Sequence, residues 1–294
     1  MRNALKSCAF IPLLALGACG GEPASTLPPQ PPMWIVSDAD SEITLYPTIH
    51  ILPNGMKWQS DELTRRLADA EEVWFEIMPG SETDPNLQAT MMRLGMAPGS
   101  SLSSQLTAAE VTALREAIAP LGMPFEAVDA MRPWLASTLV SVGALVQKGF
   151  NPDAGVEKQL QPLVKDKKIR AFESAESQLK MLAAIPEAQQ FQMLRDTLGE
   201  MDESIDMLNE MARDWSTGDV KDLEEELLSE MKSEMPIVYA AVFTARNENW
   251  ANQIEIEMKG AGTDFMAVGA GHLVGEDGVP AILKARGYKV ERLR

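Results

Sequence analysis

The sequence is poor in the two side chains that most often serve as nucleophile, metal ligand or proton carrier near neutral pH. In 294 residues it has only two cysteines and two histidines. Both cysteines, Cys8 and Cys19, fall within the first nineteen residues. The remaining chain can therefore form no internal disulfide and has no thiolate nucleophile or thiolate metal site.

Three catalytic motifs are also missing. The sequence has no glycine-rich phosphate loop, no Gly-x-Ser-x-Gly nucleophile motif and no His-Glu-x-x-His metal motif. Positive charge is scarce as well, with 26 Lys and Arg against 43 Asp and Glu, for a net charge of −17. An acidic surface repels the phosphate backbone and anionic lipid, so we expect no nucleic-acid partner and no broad adhesion to a membrane surface.

The N-terminal segment has the pattern of a bacterial lipoprotein signal peptide over residues 1–19. Met1–Lys6 is positively charged, and Ser7–Leu16 is an apolar run too short to span a bilayer. Leu16–Cys19 then matches a lipobox, in which Cys19 is lipidated and becomes the new N-terminus. The alternative is an ordinary cleaved signal followed by a chance cysteine.

Residues 20–32 are rich in Gly, Pro, Ser and Thr, which predicts a flexible tether. The lipid on Cys19 would then hold the protein at a bacterial membrane on the periplasmic side. Gly20 directly after the cysteine favours the outer membrane over inner-membrane retention. Residues 33–294 are predicted to form a single domain, large enough to bury a core without disulfides.

Strand patterns cluster at the two ends of this domain and helical patterns fill its middle. The predicted strands are Met33–Ser37, Glu42–Tyr46, Glu72–Ile77, Ile169–Phe172, Met266–Gly269 and Tyr288–Leu293. The predicted helical segments are Ser60–Asp69, Pro85–Ile118, Pro133–Gln147, Ala175–Ala184, Pro186–Met235 with a break at Thr217–Asp219, Arg246–Met258 and a segment ending at Ala285. The pattern predicts an α/β fold, with a central mixed sheet of N- and C-terminal strands and a large helical middle region.

The two histidines, His50 and His272, occupy matching positions. Each ends a short apolar run that is typical of a buried strand, and each is followed by a loop-like stretch. If the terminal strands pair in one sheet, both histidines reach the same edge of that sheet. This predicts one shared site, although each histidine could instead be a hydrogen-bonded residue at a strand end.

Glu76 ends the otherwise apolar run Val73–Met78. A carboxylate on a buried strand is costly unless a cation, a metal or several donors accompany it. Two histidines and one glutamate would suit a divalent metal ion that activates water, with manganese, cobalt and zinc as candidates. The same residues could act directly as acid and base, and strand alternation could instead turn Glu76 to solvent.

Three further polar residues lie at element ends. Arg246 and Asn247 begin a predicted helix and could orient a substrate carbonyl or stabilise an oxyanion, or could serve only as a cap and a surface charge. Glu173 follows a predicted strand and could support the other carboxylate, or could be a favourable charge at a helix N-terminus.

Together these residues resemble the TraB/GumN family, which is related to the Tiki proteases and more distantly to erythromycin esterase and ChaN-like proteins. The resemblance spans about Met33 to Leu293. It rests on Pro47–His50 with Leu52 and Pro53, Trp74–Glu76, Gly155–Glu157 with Leu160, Phe172 and Glu173 with Gln178 and Leu179, Arg246 and Asn247 with Trp250, and Val268–His272 with Gly278, Val279 and Leu283.

The resemblance implies an α/β fold and a metal-dependent hydrolase, often a peptidase, that uses two Gly-x-x-His motifs and a glutamate. Gly269–His272 matches that motif, whereas Pro47 occupies the glycine position before His50. His50, Glu76 and His272 would hold the metal and its water, and Arg246 and Asn247 would position a peptide or small-molecule substrate. Two alternatives stay open: a binding lipoprotein that captures haem, a metal complex or a peptide, and an accessory protein of the envelope.

Overall fold

The computed structural model describes residues 30–199, 201–219, 224 and 228–293, and leaves the side chains of residues 201–204 undescribed. The predicted signal peptide, Cys19 and the tether up to residue 29 lie outside the described residues. Within the described residues, no helix combines the length and apolar character needed to cross a bilayer.

A six-stranded mixed sheet forms the centre of the molecule, which confirms the predicted fold class. Its strands are β1 Met33–Ser37, β2 Ser41–Thr48, β4 Glu72–Phe75, β6 Lys168–Ala171, β7 Gly262–Gly269 and β8 Lys289–Leu293, in the spatial order β6-β4-β7-β2-β1-β8. The pairs β2–β7, β7–β4 and β4–β6 are parallel, while β1 pairs with β2 and β8 antiparallel. β1 and β2 form an antiparallel hairpin, and the N- and C-terminal strands join in one sheet, as the predicted fold class requires.

Two short strands were not predicted. Leu52–Pro53 (β3) pairs antiparallel with Phe150–Asn151 (β5). Each contributes only two residues, too few for the alternation by which a strand is recognised in a sequence. This pairing joins the loop after β2 to the segment after the Pro133–Gln147 helix.

Thirteen described helices surround the sheet. They are Asp61–Asp69, Pro85–Gly95, Ala108–Ile118, Phe125–Asp129, Pro133–Gln147, Val156–Leu160, Ala175–Ala184, Glu187–Gly199, Met201–Thr217, Glu230–Glu234, Pro236–Tyr239, Ala245–Glu257 and Val279–Ala285. The Pro85–Ile118 pattern is two helices, because the chain leaves the helical path after Gly95 and restarts at the capping box of Thr107 and Glu110. The predicted break after Thr217 is confirmed by Gly218, which adopts a φ of +84°.

The Pro133–Gln147 helix is the most apolar helix of the domain in sequence, and it packs into the core through one face. Trp134, Ala136 and Val140 are buried, whereas Val142 and Val146 are exposed. Its buried face joins a second core beside the sheet, built from helical residues such as Leu114. Scattered apolar residues on a protein surface are common, so the exposure of Val142 and Val146 is unexceptional.

The parallel strands place the candidate residues at one edge of the sheet. Strands β2, β4, β6 and β7 all run in the same direction, so their carboxyl ends lie together. His50 follows β2, Glu76 follows β4 and Glu173 follows β6, while His272 ends a short helical turn after β7. Ligands of open parallel sheets bind at such carboxyl edges.

Candidate functional site

Glu76 is a buried carboxylate at the centre of this edge. Its side chain is 8% exposed. Oε1 accepts the backbone N–H of Gly269 at 2.7 Å, and Oε2 accepts from Arg246 Nη2 at 2.5 Å and Gln178 Nε2 at 3.1 Å. Burial raises the pKa of Glu76, but the positive charges of His50 and Arg246 and the N–H of Gly269 lower it more, so this pKa lies well below its ordinary value. Glu76 is therefore an ionised carboxylate at neutral pH.

Gly269 explains how the carboxylate reaches the backbone of β7. A Cβ atom at this position would lie 2.9 Å from Glu76 Oε1. The same point is 3.6 Å from the His272 ring and 3.8 Å from His50 Nε2. Only glycine leaves room for the carboxylate and both imidazoles to meet here without displacing one of them.

Arg246 links Glu76 to Glu173 and His272. Its Nε donates to Glu173 Oε1 at 2.8 Å, and its Nη1 donates to the carbonyl oxygen of Val242 at 3.0 Å and to His272 Nε2 at 2.9 Å. Nη2 contacts both Glu76 and Glu173. Charge-assisted bonds of this kind hold both partners firmly. All three guanidinium nitrogens therefore bind groups of the protein, and the charge of Arg246 is shared between two carboxylates.

The helix that carries Arg246 follows a π-helical turn, Ala240–Thr244. Such turns occur frequently at functional sites because they redirect the side chains around them. This turn supplies the Val242 carbonyl that Arg246 binds, and Phe243, whose ring centroid lies 5.0 Å from that of His272.

His272 is held as a neutral imidazole. Its Nδ1 lies 2.5 Å from Asn247 Oδ1, and Asn247 Nδ2 donates to the Asp277 carbonyl, which fixes the orientation of the amide. His272 Nδ1 therefore carries the proton and Nε2 accepts from Arg246. Burial lowers the pKa of His272 to about 3; the negative charge of Glu76 opposes this shift, and the positive charge of Arg246 adds to it. Phe243 and Trp250 contact the ring and keep water away.

Asn247 lies behind His272 and does not face the substrate side of the site. It is buried, and both ends of its amide bond to protein groups. Arg246 and Asn247 were predicted to contact a substrate, and that role stays a prediction. Their contacts in the fold favour a positioning role for both.

His50 has the opposite environment to His272. Its side chain is 66% exposed, and Nδ1 lies 2.7 Å from Glu157 Oε1. Thr48 donates its hydroxyl to the same oxygen. The negative charge of Glu157 raises the pKa of His50 to about 9, against the lowering effect of partial burial. His50 is therefore an imidazolium at neutral pH, and its Nε2–H is directed away from Glu157 into the site.

Glu157 is the functional residue that the sequence reasoning did not assign. The Val156 N–H donates to the carbonyl of Ile49 at 3.0 Å, which sets Glu157 against the loop of His50. A Cβ atom on Gly155 would lie 2.0 Å from the His50 carbonyl oxygen, so this approach requires glycine. The Gly155–Glu157 motif, already part of the family resemblance, was the available signal.

Two cavities flank His50 and Glu76, and among the described residues only these two line both. The Met78 cavity, about 260 Å³, is lined by His50, Phe75, Glu76, Ile77, Met78, Pro79, Glu82, Pro152, Glu157, Lys158, Gln161 and Gln178. The Phe243 cavity, about 250 Å³, is lined by Thr48, Ile49, His50, Glu76, Met211, Val242, Phe243, Arg246, Gly269, Ala270, Gly271 and His272. The charged pair therefore lies where the cavities meet.

The donor atoms do not fit the predicted metal as a complete set. Both imidazoles bind an oxygen acceptor through Nδ1, as metal-ligating histidines do, which leaves the two Nε2 atoms as the available ligands. His272 Nε2, however, accepts a guanidinium N–H from Arg246, which uses the lone pair that a metal would need. Within the described residues, no group of three His, Cys, Asp or Glu side chains has metal-binding geometry. The metal ion stays a prediction.

Comparison with known proteins identifies the family to which these residues belong. No curated protein and no solved structure matches the chain. The model of the TraB/PrgY/gumN family matches residues 32–292, which include the central sheet except Leu293 at the end of β8, and all residues of the site described above. The chain therefore belongs to the TraB/PrgY/gumN family.

Proposed function

We propose that this protein hydrolyses a peptide or amide bond in the cell envelope. The observation that carries the proposal is the His50–Glu76 pair, which lies at the junction of the two cavities. The environments of the two residues push their pKa values in opposite directions, upward for His50 and downward for Glu76. Such a pair has its proton donor and proton acceptor assigned by its surroundings.

In the proposed reaction, Glu76 accepts a proton from the attacking water. Oε1 binds a single N–H donor, that of Gly269, so it keeps the capacity to accept a hydrogen bond from water. The water oxygen bonds to the carbonyl carbon, and the carbonyl oxygen gains negative charge. The His50 Nε2–H donates to that oxygen and stabilises the charge as it develops.

Collapse of the tetrahedral intermediate breaks the C–N bond and releases an acid and an amine. The leaving nitrogen takes the proton that came from water, and His50 remains available as the acid at the same junction. Glu157 keeps His50 charged and correctly oriented throughout. Arg246 and His272 support this chemistry by fixing the Glu76 carboxylate in place.

Glu76→Gln tests the proposal because glutamine keeps the shape of the side chain but accepts no proton. We expect cleavage of a peptide library by the purified full chain to fall about 10³-fold, within the range for removal of an acid–base residue. Glu126→Gln is the matched control, since Glu126 is exposed and lines neither cavity. Equal cleavage by the two variants, or no cleavage by the wild type, would contradict the proposal.

Metal dependence is tested in the same assay. Because Arg246 binds both Glu76 and His272, we expect chelation to leave the cleavage rate unchanged. Activity that is lost on chelation and restored by manganese, cobalt or zinc would instead support the metal-dependent hydrolase predicted from the sequence.

A binding protein is the second candidate. It is favoured by the engagement of all guanidinium nitrogens of Arg246, which leaves few donors for an oxyanion. It predicts a peptide, haem or metal complex that binds the wild type and Glu76→Gln alike, with no product formed. Equilibrium binding measured beside cleavage separates the two candidates.

We also propose that Cys19 carries the lipid that anchors the protein to the periplasmic face of the outer membrane. The lipobox Leu16–Cys19 and the 20–32 tether support this. Palmitate labelling should be lost in Cys19→Ser and unchanged in Cys8→Ser. Labelling of the Cys19→Ser variant would contradict the anchor.

A further inference from the structure

The two cavities differ in the elements that build them but share one chemical character. The Met78 cavity takes its apolar wall from the end of β4 and the loop beyond it, at Phe75, Ile77, Met78 and Pro79. The Phe243 cavity takes its wall from other parts of the chain, including Ile49, Met211, Val242 and Phe243. The two apolar walls therefore lie on either side of the charged pair.

Apart from the central pair of His50 and Glu76, and Glu157, which binds His50, the charged residues that line each cavity bind oppositely charged residues of the protein. In the Met78 cavity, Glu82 and Lys158 form an ion pair with each other. In the Phe243 cavity, Arg246 is engaged by Glu76 and Glu173. A charged substrate side chain that lies against the apolar wall, away from His50 and Glu76, would lose hydration without gaining a free partner, which is unfavourable.

The size of each cavity suits one side chain. An apolar cavity of about 150 Å³ holds a benzene ring. Spaces of about 260 and 250 Å³ therefore admit a leucine, methionine or phenylalanine side chain. In an extended peptide, consecutive side chains point to opposite sides of the backbone. The two residues around the scissile bond could therefore each place a side chain in one of the two cavities.

We propose that the cleft binds an extended peptide with an apolar side chain on each side of the bond at His50 and Glu76. One side chain occupies the Met78 cavity and the other occupies the Phe243 cavity. The inference rests on the proposed function for the position of the bond, and it adds the substrate class. The same apolar walls disfavour peptides with Asp or Lys at either flanking position.

Met78 gives a direct test because its side chain is 46% exposed and can carry a charge without entering the core. Internally quenched octapeptides would vary at the two positions around the scissile bond, with Leu, Met or Phe compared with Asp or Lys. We expect the full-length wild type to cleave doubly apolar peptides at least tenfold faster, in kcat/KM, than peptides with one charged flank, because a misfit in an apolar pocket costs about that much.

The Met78→Lys variant should lower the preference for an apolar residue about tenfold at one flanking position and leave the other unchanged. It should also improve cleavage of peptides with Asp at the affected position. Met92→Lys is the matched control, because Met92 is 52% exposed and lines neither cavity. Rates that ignore the flanking residues, or identical profiles for the two variants, would overturn the proposal.

A binding measurement separates this proposal from the proposed hydrolysis. If the wild type cleaves nothing, fluorescence anisotropy with the same peptides still tests the cleft. Doubly apolar peptides that bind at least tenfold more tightly than singly charged ones, with that difference reduced in Met78→Lys, would support the substrate class while hydrolysis fails. Absence of peptide binding would overturn both.

Discussion

The two histidine loops begin from neighbouring strands and reach opposite electrostatic states. Strands β2 and β7 pair in parallel, with Thr48 beside Gly269, so His50 and His272 leave the same edge. His50 is 66% exposed and bound by a carboxylate, whereas His272 is 5% exposed and bound by an amide. Glu157 keeps the first imidazole charged, and burial beside Arg246 keeps the second neutral. The partner of Nδ1, more than the strand, determines what each histidine does.

The residues three positions before the two histidines, Gly269 and Pro47, also have different surroundings. Gly269 leaves space for the Glu76 carboxylate, which binds its N–H. Pro47 is buried within β2, beyond the residues that pair with β1, and its carbonyl accepts the Trp215 indole N–H at 3.0 Å. Proline has no backbone N–H, so Pro47 cannot bind a carboxylate as Gly269 does. The requirement for glycine therefore belongs to the His272 loop, and proline is compatible with the His50 loop.

Gly269→Ala should have the largest effect, because the added Cβ would lie 2.9 Å from Glu76 Oε1. The carboxylate would have to move while Arg246 and Gln178 hold its other oxygen. We expect peptide cleavage to fall about 10²-fold, as small misplacements of catalytic groups do. Gly199→Ala is the control, since a Cβ there meets no neighbouring atom. Unchanged cleavage in a folded Gly269→Ala protein would contradict this account of the glycine.

Glu157→Gln should make His50 resemble His272, because it replaces the carboxylate on Nδ1 with a neutral amide. The pKa of His50 should fall from about 9 toward its ordinary value, since Glu157 is the main cause of the increase. Cleavage should fall about 10–100-fold, the usual effect of removing a group that orients a histidine. The chain has only two histidines, so imidazole NMR spectra follow the titration directly.

The reciprocal measurement comes from the same spectra. In wild type and Glu157→Gln alike, His272 should remain neutral down to acidic pH, since burial lowers its pKa to about 3. A His272 resonance that titrates near neutral pH, or a His50 pKa that is unchanged by Glu157→Gln, would mean that the two environments are not as different as the contacts indicate.

The sequence predicted the positions of these loops better than their partners. Apolar runs ending in His50, Glu76 and His272 indicate strand ends, and the carboxyl edge of a parallel sheet then brings them together. Glu157 was not assigned, because its contact with His50 depends on Gly155 meeting a backbone 105 positions earlier and on the two-residue strands β3 and β5. Such contacts leave no periodic pattern in the sequence.

The contacts of Arg246 and Asn247 within the protein could not be predicted for a related reason. A helix start beside a site suggests a substrate contact, but the π-helical turn before Arg246 directs its guanidinium to Glu76, Glu173 and His272. The sequence thus predicts which residues meet at the site. Which partner each polar atom binds depends on tertiary packing.

Pro47→Gly would give both loops the same first residue, and it should change stability more than chemistry. The free energy of unfolding should fall by about 2 kcal/mol, because a buried ring is lost and the unfolded chain gains freedom. His50 keeps Glu157, so its pKa and the cleavage rate should stay within about twofold of wild type. Urea unfolding and the peptide assay measure the two effects. A large gain in cleavage would indicate that Pro47 restrains the site.

The smallest effect expected is a pH dependence of stability that arises from one loop and not the other. The folded-state pKa of His50 is raised to about 9, so its ion pair with Glu157 contributes fully below about pH 6.5 and is lost as the pH rises through 9. His272 has the opposite sign: its lowered pKa, about 3, contributes stability above pH 6.5 that is lost as the pH falls. Between pH 6.5 and 9, therefore, His50 titrates and His272 does not. Of the two, only His50 should make the free energy of unfolding depend on pH in this interval.

His50→Gln isolates this contribution. Because the side chain is 66% exposed, solvent screening reduces the pair to about 1 kcal/mol. Urea unfolding of wild type and His50→Gln should differ by about that amount at pH 6.5, and the difference should shrink at pH 9.5. His272→Gln, measured as the comparison, should show a difference that is constant across the same interval. A constant difference for His50→Gln as well would mean that Glu157 does not stabilise the charged imidazole, and the contrast between the two loops would then reduce to burial alone.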